Sequence, residues 1–142
     1  MHKNKLILMI GLPLSGKSTW AKKQGHPIVN PDSIRLALHG QRFLSEAEAM
    51  VWTIAMYMVK ALFLAGHDTV IVDATHTTPK RRDFWKSPEY PSWELGYVYN
   101  NTAKDVCIAR ANAVGDTEII PIIEDMAEKM DLTGCPDFTC SA

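Results

Sequence analysis

The nine residues from Gly11 to Thr19, GLPLSGKST, constrain this chain more than any other stretch. They fit the pattern G-x-x-x-x-G-K-[ST], in which a glycine-rich turn joins a strand to a helix and wraps its backbone N–H groups around phosphate oxygens. The flanking residues provide that context, because an apolar run at 6–10 predicts a buried strand and helix-compatible residues follow at 17–23. The stretch therefore predicts a P-loop that binds a nucleoside triphosphate.

Each position of this loop has an expected role. Gly11 and Gly16 allow backbone conformations that a side chain would hinder. Lys17 would reach the β- and γ-phosphates, and the Ser18 hydroxyl would bind Mg²⁺. The predicted nucleotide-binding set is Gly11, Ser15, Gly16, Lys17, Ser18 and Thr19. The expected cofactors are ATP and Mg²⁺.

Composition indicates one globular domain, since 46% of the 142 residues are hydrophobic and 22% are charged. We expect a P-loop kinase domain at 1–132 and a poorly ordered tail at 133–142. The run at 6–10 is too short for a signal peptide, and Glu48, Thr53 and Lys60 interrupt the most apolar segment, which favours a buried helix over a membrane span. Three cysteines without a C-x-x-C spacing favour a reducing, cytoplasmic location.

Strand and helix patterns alternate along the whole chain. Further strands are predicted at 27–30, 68–73 and 93–99, and helices at 31–40, 45–66, from 79, at 103–113 and at 121–130. Ser45-x-x-Glu48 has the pattern of a capping box at the start of the long helix. The alternation predicts an α/β P-loop kinase fold, with three α/β/α layers and a short parallel sheet of four to five strands.

Three charged residues follow the predicted strands, where ligands gather in such a sheet. Asp73 ends an apolar strand and is a candidate Mg²⁺-associated aspartate; the alternative is a capping carboxylate for the next turn. Asp32 is a candidate general base, or simply an N-cap. Arg35 lies three residues further on, so on a helix it shares the face of Asp32 and is placed to grip an anionic acceptor.

Other candidates carry weaker signals. Arg110, late in a predicted helix, would be able to swing over the triphosphate, or it is a solvated helix charge. The basic run at 80–82, next to Phe84 and Trp85, suits contact with phosphates or an exposed helix face equally. His76 is either a ligand contact or a partner for loop hydrogen bonds.

Taken together, these residues resemble the 5′-kinase domain of phage-type polynucleotide kinases and the wider group of small P-loop kinases of that type. The resemblance rests on the P-loop, on Asn30-Pro-Asp32-x-x-Arg35 and on the stretch VIVDATHTTPKRR at 70–82. It implies that Asp32 activates the acceptor hydroxyl and that Arg35 contacts acceptor phosphate. It further implies that Asp73 supports the site and that Arg110 is the first arginine of a lid over the nucleotide.

The resemblance implies transfer of the ATP γ-phosphate to a hydroxyl, with the 5′-OH of a polynucleotide as first choice. Charge favours an alternative, a kinase for a small metabolite, nucleoside or antibiotic. Residues 1–112 carry 14 basic and 9 acidic side chains, whereas 113–142 carry one basic and seven acidic ones. The family's second lid arginine is missing at 113–115, which suits a non-catalytic nucleotide-binding regulatory module. A homo-oligomer also stays open.

Overall fold

The computed structural model of the chain describes residues 3–86 and 89–135, together with the backbone of 139–140. The strands are β1 (Lys5–Ile10), β2 (Ile28–Val29), β3 (Thr69–Val72), β4 (Glu94–Asn100) and β5 (Thr139–Cys140). The helices are α1 (Lys17–Lys23), α2 (Pro31–His39), α3 (Glu48–Leu64), α4 (Pro79–Asp83), α5 (Lys104–Ala113) and α6 (Ile120–Lys129). Short 3₁₀ turns at Ser45–Ala47 and Thr117–Ile119 lead into α3 and α6. The predicted alternation of strands and helices is confirmed.

The five strands form one sheet in the order β2-β3-β1-β4-β5, and every pairing is parallel. β1 lies at the centre, with Leu6 opposite Val70 of β3 on one side and Leu95 of β4 on the other. Because parallel strands end at the same edge, the P-loop after β1 lies between the loops that follow its neighbours. The topology therefore places the predicted site residues at one edge.

Alternate residues of β1 supply two separate cores. Leu6 and Leu8 are buried with residues of α2 and α3, while Met9 on the opposite face packs with Ala21 of α1. A third cluster joins Leu12 of the P-loop to apolar residues of α5 and α6. Helices thus cover both faces of the sheet, which confirms the α/β/α layering of a P-loop kinase fold.

Helix α3 is buried along one side only. Val51, Val59 and Phe63 belong to the core, whereas Tyr57 and Leu64 are exposed. The segment 45–64 is long and apolar enough to cross a bilayer by length and composition, a property that the core helix of a soluble protein can share. Its packing against the sheet makes it a core helix on its inner face.

The predicted capping box at the start of α3 is wrong. No side chain caps either the 3₁₀ turn or α3 itself. Glu48 instead accepts two hydrogen bonds from Arg35 of α2, at 2.8 and 2.6 Å. A charge-assisted, two-pronged pair is stronger than a hydrogen bond to one backbone N–H, so the tertiary contact prevails over the local one.

The prediction of a poorly ordered tail at 133–142 falls largely outside the described residues. Within the described part, Thr139 and Cys140 pair with the end of β4 as a two-residue strand, which the sequence patterns did not predict. Cys107 and Cys135 are free thiols, while the side chain of Cys140 is not described.

Candidate active site

The P-loop adopts a backbone that its glycines permit. Gly16 has φ 100°, in the left-handed region, and leads directly into α1, whose first N–H groups have no side-chain cap. At Gly11 a Cβ atom would lie 2.6 Å from Ser15 Oγ and 3.0 Å from the Asn100 carbonyl oxygen, so an alanine does not fit. The backbone N–H of Gly11 donates to the carbonyl of Thr75, at 3.0 Å, which ties the loop to the segment after β3.

Lys17 is buried inside this loop. Its Nζ donates to the carbonyl oxygen of Leu12, at 2.9 Å. Burial lowers the pKa of Lys17, and the carboxylates of Asp73 and Asp32 oppose that shift. The candidate base Asp32 and the candidate Mg²⁺-associated Asp73 therefore both lie close enough to act on the predicted phosphate-binding ammonium. A desolvated lysine that donates to its own loop is placed to exchange that bond for a phosphate oxygen.

Ser18 and Asp73 meet across the site, as predicted for residues that share a metal ion. The Ser18 hydroxyl donates to Asp73 Oδ2 at 2.5 Å, although 55 residues separate the two. Hydroxyl and carboxylate oxygens are the hard donors that Mg²⁺ prefers. The closeness of these two oxygens therefore fits a magnesium site that Ser18 and Asp73 would hold together.

A cleft of about 560 Å³ opens beside the P-loop. Its lining residues are Leu14, Gly16, Lys17, Ser18, Thr19, Trp20, Lys23 and Arg110. Arg110 of α5 reaches this cleft and donates to the carbonyl oxygen of Leu14, at 2.9 Å. The guanidinium thus lies against the loop that would hold the phosphates. Arg110 is an exposed residue whose contact with the loop fits the predicted lid role, which stays a prediction.

Asp32 does not cap α2. Asn30 is the N-cap residue, and its Oδ1 accepts the backbone N–H of Asp32 at 2.9 Å. The Asp32 carboxylate is left pointing outward, with its side chain 74% exposed, and accepts a hydrogen bond from Arg35 Nη1 at 2.7 Å. The alternative in which Asp32 serves as an N-cap is thereby removed, and an accessible carboxylate lies in the first turn of α2.

Arg35 is fully engaged by carboxylates. Its Nε and Nη2 donate to the two oxygens of Glu48, and its Nη1 donates to Asp32. The hydrogen bond from Arg35 lowers the pKa of Glu48, and the pKa of Arg35 is raised in turn. The Arg35 side chain is only 14% exposed. It lies beside the candidate base as predicted, but it holds that base in place instead of presenting a bare guanidinium.

The basic run at 80–82 separates into three environments. Lys80 is exposed, and Arg81 lies over the indole ring of Trp52, with 4.3 Å from its Cζ to the ring centroid. Arg82 is 3% exposed and donates to the carbonyl oxygens of His76, Asp131 and Thr133. The three side chains of this run therefore do not share one environment, and only Arg82 is fully engaged within the described part of the chain.

His76 has a structural place in the loop after β3. It is completely buried, and its Nε2 accepts the indole N–H of Trp85 at 3.0 Å. Its Nδ1 therefore carries the proton and donates to the carbonyl oxygen of Met9, at 2.6 Å. This arrangement supports the loop hydrogen-bonding alternative and leaves no ring nitrogen for a ligand.

Sequence reasoning missed Glu48, Trp52 and the individual role of Arg81. Glu48 fits the local pattern of a capping box, and no local pattern distinguishes Trp52 from the other apolar residues of the long helix. The sequence offered one indication, the arginines and aromatic residues that lie close together at 81–85. It did not indicate that Arg81 would contact Trp52 of α3.

Comparisons with known proteins agree with this architecture. The family model described as AAA domain, AAA_33, matches residues 6–113. The chain is similar to a protein in a structure of the Pnkp1/Rnl/Hen1 RNA repair complex, with 18% identity and a TM-score of 0.67 over 92% of this chain and 47% of the other. The chain therefore spans about half the length of that relative.

Two shorter kinases match over almost the whole chain. A gluconokinase from Sinorhizobium meliloti 1021 is 19% identical, with a TM-score of 0.60 over 99% of this chain and 83% of the other. The Mycobacterium tuberculosis APS kinase CysC, in complex with AMPPNP and APS, is 17% identical, with a TM-score of 0.65 over 99% and 90%. These likenesses confirm the P-loop kinase fold. Since its model covers more than half of the residues, the chain belongs to the AAA domain family AAA_33.

Proposed function

We propose that this protein is an ATP-dependent phosphotransferase that moves the γ-phosphate of ATP to a hydroxyl acceptor. The observation that carries the proposal is the convergence of Lys17, the Ser18–Asp73 pair and the exposed Asp32 carboxylate at one edge of the sheet. A P-loop alone supports nucleotide binding. An accessible carboxylate beside it adds the group that a transfer to a hydroxyl needs.

In the proposed reaction, the acceptor oxygen attacks the γ-phosphorus and its proton passes to Asp32. A new phosphorus–oxygen bond forms while the bond between the γ-phosphorus and the bridging oxygen breaks, and ADP leaves. Lys17 neutralises phosphate charge, and Arg110 closes against the loop from α5. Ser18 and Asp73 would hold Mg²⁺, which supplies further positive charge to the phosphate oxygens when it is bound.

The first acceptor we propose is the 5′-OH of a nucleic acid. Asn30-Pro-Asp32-x-x-Arg35 and the stretch at 70–82 support it through their resemblance to polynucleotide 5′-kinases. A small hydroxyl compound is the second candidate. The acidic side chains at 113–142 favour it, because a negatively charged lid repels a polyanion.

The test is transfer from γ-³²P-ATP with Mg²⁺ to a 5′-OH oligonucleotide, beside a panel of nucleosides and sugars and a reaction without acceptor. Asp32→Asn keeps the shape and removes the base, so we expect kcat to fall by about 100-fold or more while ATP binding is retained. Asp105→Asn, at an exposed position of α5, is the matched control and should transfer normally.

Label on the oligonucleotide would support the first acceptor, and label on a small molecule would support the second. Normal transfer by Asp32→Asn would contradict the base assignment. ATP binding without transfer to any acceptor would overturn the phosphotransferase proposal and favour a regulatory nucleotide-binding module.

A further inference from the structure

Arg81 presents a guanidinium that the described part of the chain leaves without a hydrogen-bonding partner. The group lies 4.3 Å from the centroid of the Trp52 ring, and in the described residues it forms no ion pair and donates no side-chain hydrogen bond. Arg35 on the same ring, at 5.9 Å, differs completely, because all three of its nitrogens donate to Asp32 and Glu48. Arg35 therefore uses all its guanidinium nitrogens in hydrogen bonds to carboxylates, whereas those of Arg81 have no partner among the described residues.

The platform under Arg81 is fixed by packing. Trp52 is 9% exposed and contacts Phe84 and Trp85 edge to face, with centroids 5.8 and 6.2 Å apart. Phe84 and Trp85 themselves pack at 5.0 Å. A guanidinium that lies over a fixed indole ring is restrained by the cation–π contact, and its planar set of N–H donors suits recognition of an oxyanion.

Charge around Arg81 points to the same use. Arg35 pairs with two carboxylates, Asp32 and Glu48, so this group of three carries a net negative charge that would repel an anionic acceptor without a further cation. Burial lowers the pKa of Arg81, Glu48 opposes that shift and Arg35 adds to it. Arg81 is exposed, and a guanidinium that lies over Trp52 without a partner among the described residues is able to bind an anion from outside the protein.

We propose that Arg81, stacked on Trp52, forms a subsite for an anionic group of the acceptor, a phosphate or a carboxylate, next to the hydroxyl that Asp32 activates. The inference rests on the proposed function. It assigns the acceptor contact to Arg81 and gives Arg35 and Glu48 the task of positioning Asp32. The acceptor is therefore an anionic hydroxyl compound.

The experiment compares acceptors that differ only in that anion. A nucleoside 3′-phosphate is paired with the nucleoside, and a sugar acid with the neutral sugar, so that the phosphate and carboxylate sources are distinguished. For the anionic member of the pair that the enzyme uses, Arg81→Gln should raise KM by about 10-fold or more, with kcat and the KM for ATP unchanged. For the uncharged member, the same substitution should change KM by less than about 3-fold, since this acceptor makes no contact with the guanidinium.

Two variants separate binding from structure. Arg81→Lys keeps a positive charge without the planar guanidinium, so its KM for the anionic acceptor should lie between those of the wild type and Arg81→Gln. Lys80→Gln, an exposed cation beside it on α4, should behave as the wild type. The subsite would be overturned if Arg81→Gln raised KM equally for charged and uncharged acceptors. It would also be overturned if the wild type showed no preference for the anionic member of the pair.

A binding measurement keeps this inference apart from the proposed function. Calorimetric titration of the nucleoside 3′-phosphate and of the sugar acid, with a non-hydrolysable ATP analogue present, needs no transfer. If neither anion is phosphorylated but one binds to the wild type and not to Arg81→Gln, the subsite stands and the phosphotransferase proposal fails. If neither anion binds the wild type, the subsite itself is contradicted.

Discussion

His76 has a backbone φ of 45° and uses both ring nitrogens inside the protein, one on Met9 and one on Trp85. Burial lowers the pKa of His76 to about 4, and the carbonyl of Met9 opposes that shift. The neutral ring is therefore part of the folded state, whereas the unfolded chain takes up a proton near the ordinary value of 6.5. Of the two alternatives left by the sequence, His76 is therefore the hydrogen-bonding one, and it is sensitive to pH.

The sign of the effect on stability follows from this depressed pKa. Above about pH 6.5 both states are neutral and His76 adds no pH dependence; below it only the unfolded state binds the proton, so the free energy of unfolding falls until about pH 4. The full loss is about 3 kcal/mol. In His76→Asn, where asparagine tolerates the left-handed backbone, this slope should be missing.

Urea denaturation at several pH values between 4 and 7 measures the slope, with exposed His26→Asn as the control. We expect the control to keep the wild-type slope. A slope in His76→Asn equal to that of the wild type would show that other groups cause the loss of stability in acid.

At the scale of elements, α4 is five residues long and connects three parts of the molecule. Arg81 reaches the ring of α3, and Arg82 donates to His76 in the loop after β3 and to the segment 131–133 after α6. The backbone N–H of Asp131 also donates to the carbonyl of Thr77, at 2.9 Å. Arg82 therefore holds the segment after α6 against the loop that carries the site.

Replacing Arg82 by methionine should destabilise the protein by about 1–3 kcal/mol, because a stem of similar length remains but the buried carbonyl of His76 and the partly buried carbonyls of Asp131 and Thr133 lose their charged donor. The midpoint of urea denaturation measures this loss, and Lys80→Met on the exposed side of the same helix should change it by less than about 0.5 kcal/mol. Equal midpoints for the two variants would mean that the three carbonyls find other partners, and that Arg82 is not needed to join these segments.

At the scale of the whole molecule, local patterns predicted the order and type of the elements well. The P-loop, the apolar run of β1 and the proline starts of α2 and α4 each depend on neighbouring residues, so they could be read from the sequence. The pairing of Glu48 with Arg35 and of Arg81 with Trp52 depends on how α2, α3 and α4 pack. No local pattern contains that packing, which is why Glu48 was interpreted as part of a capping box.

The folded chain as a whole should gain stability from nucleotide, since the unfolded chain has no P-loop to bind it. ATP with Mg²⁺ at about 100 times its Kd adds about 2.7 kcal/mol to the free energy of unfolding, and Tm rises by several degrees. Lys17→Ala should lose most of this shift because the desolvated ammonium is gone. Lys22→Ala, at an exposed position of the same helix, is the matched control and should keep it.

Thermal unfolding with and without nucleotide measures these shifts, and each variant is compared with its own nucleotide-free Tm. This comparison cancels the direct effect of removing a buried lysine, which also changes the stability of the free protein. Full retention of the shift by Lys17→Ala would contradict the role of this loop in holding the phosphates. A shift of the same size in Asp32→Asn would place that carboxylate outside the ATP site and leave it available to the acceptor hydroxyl.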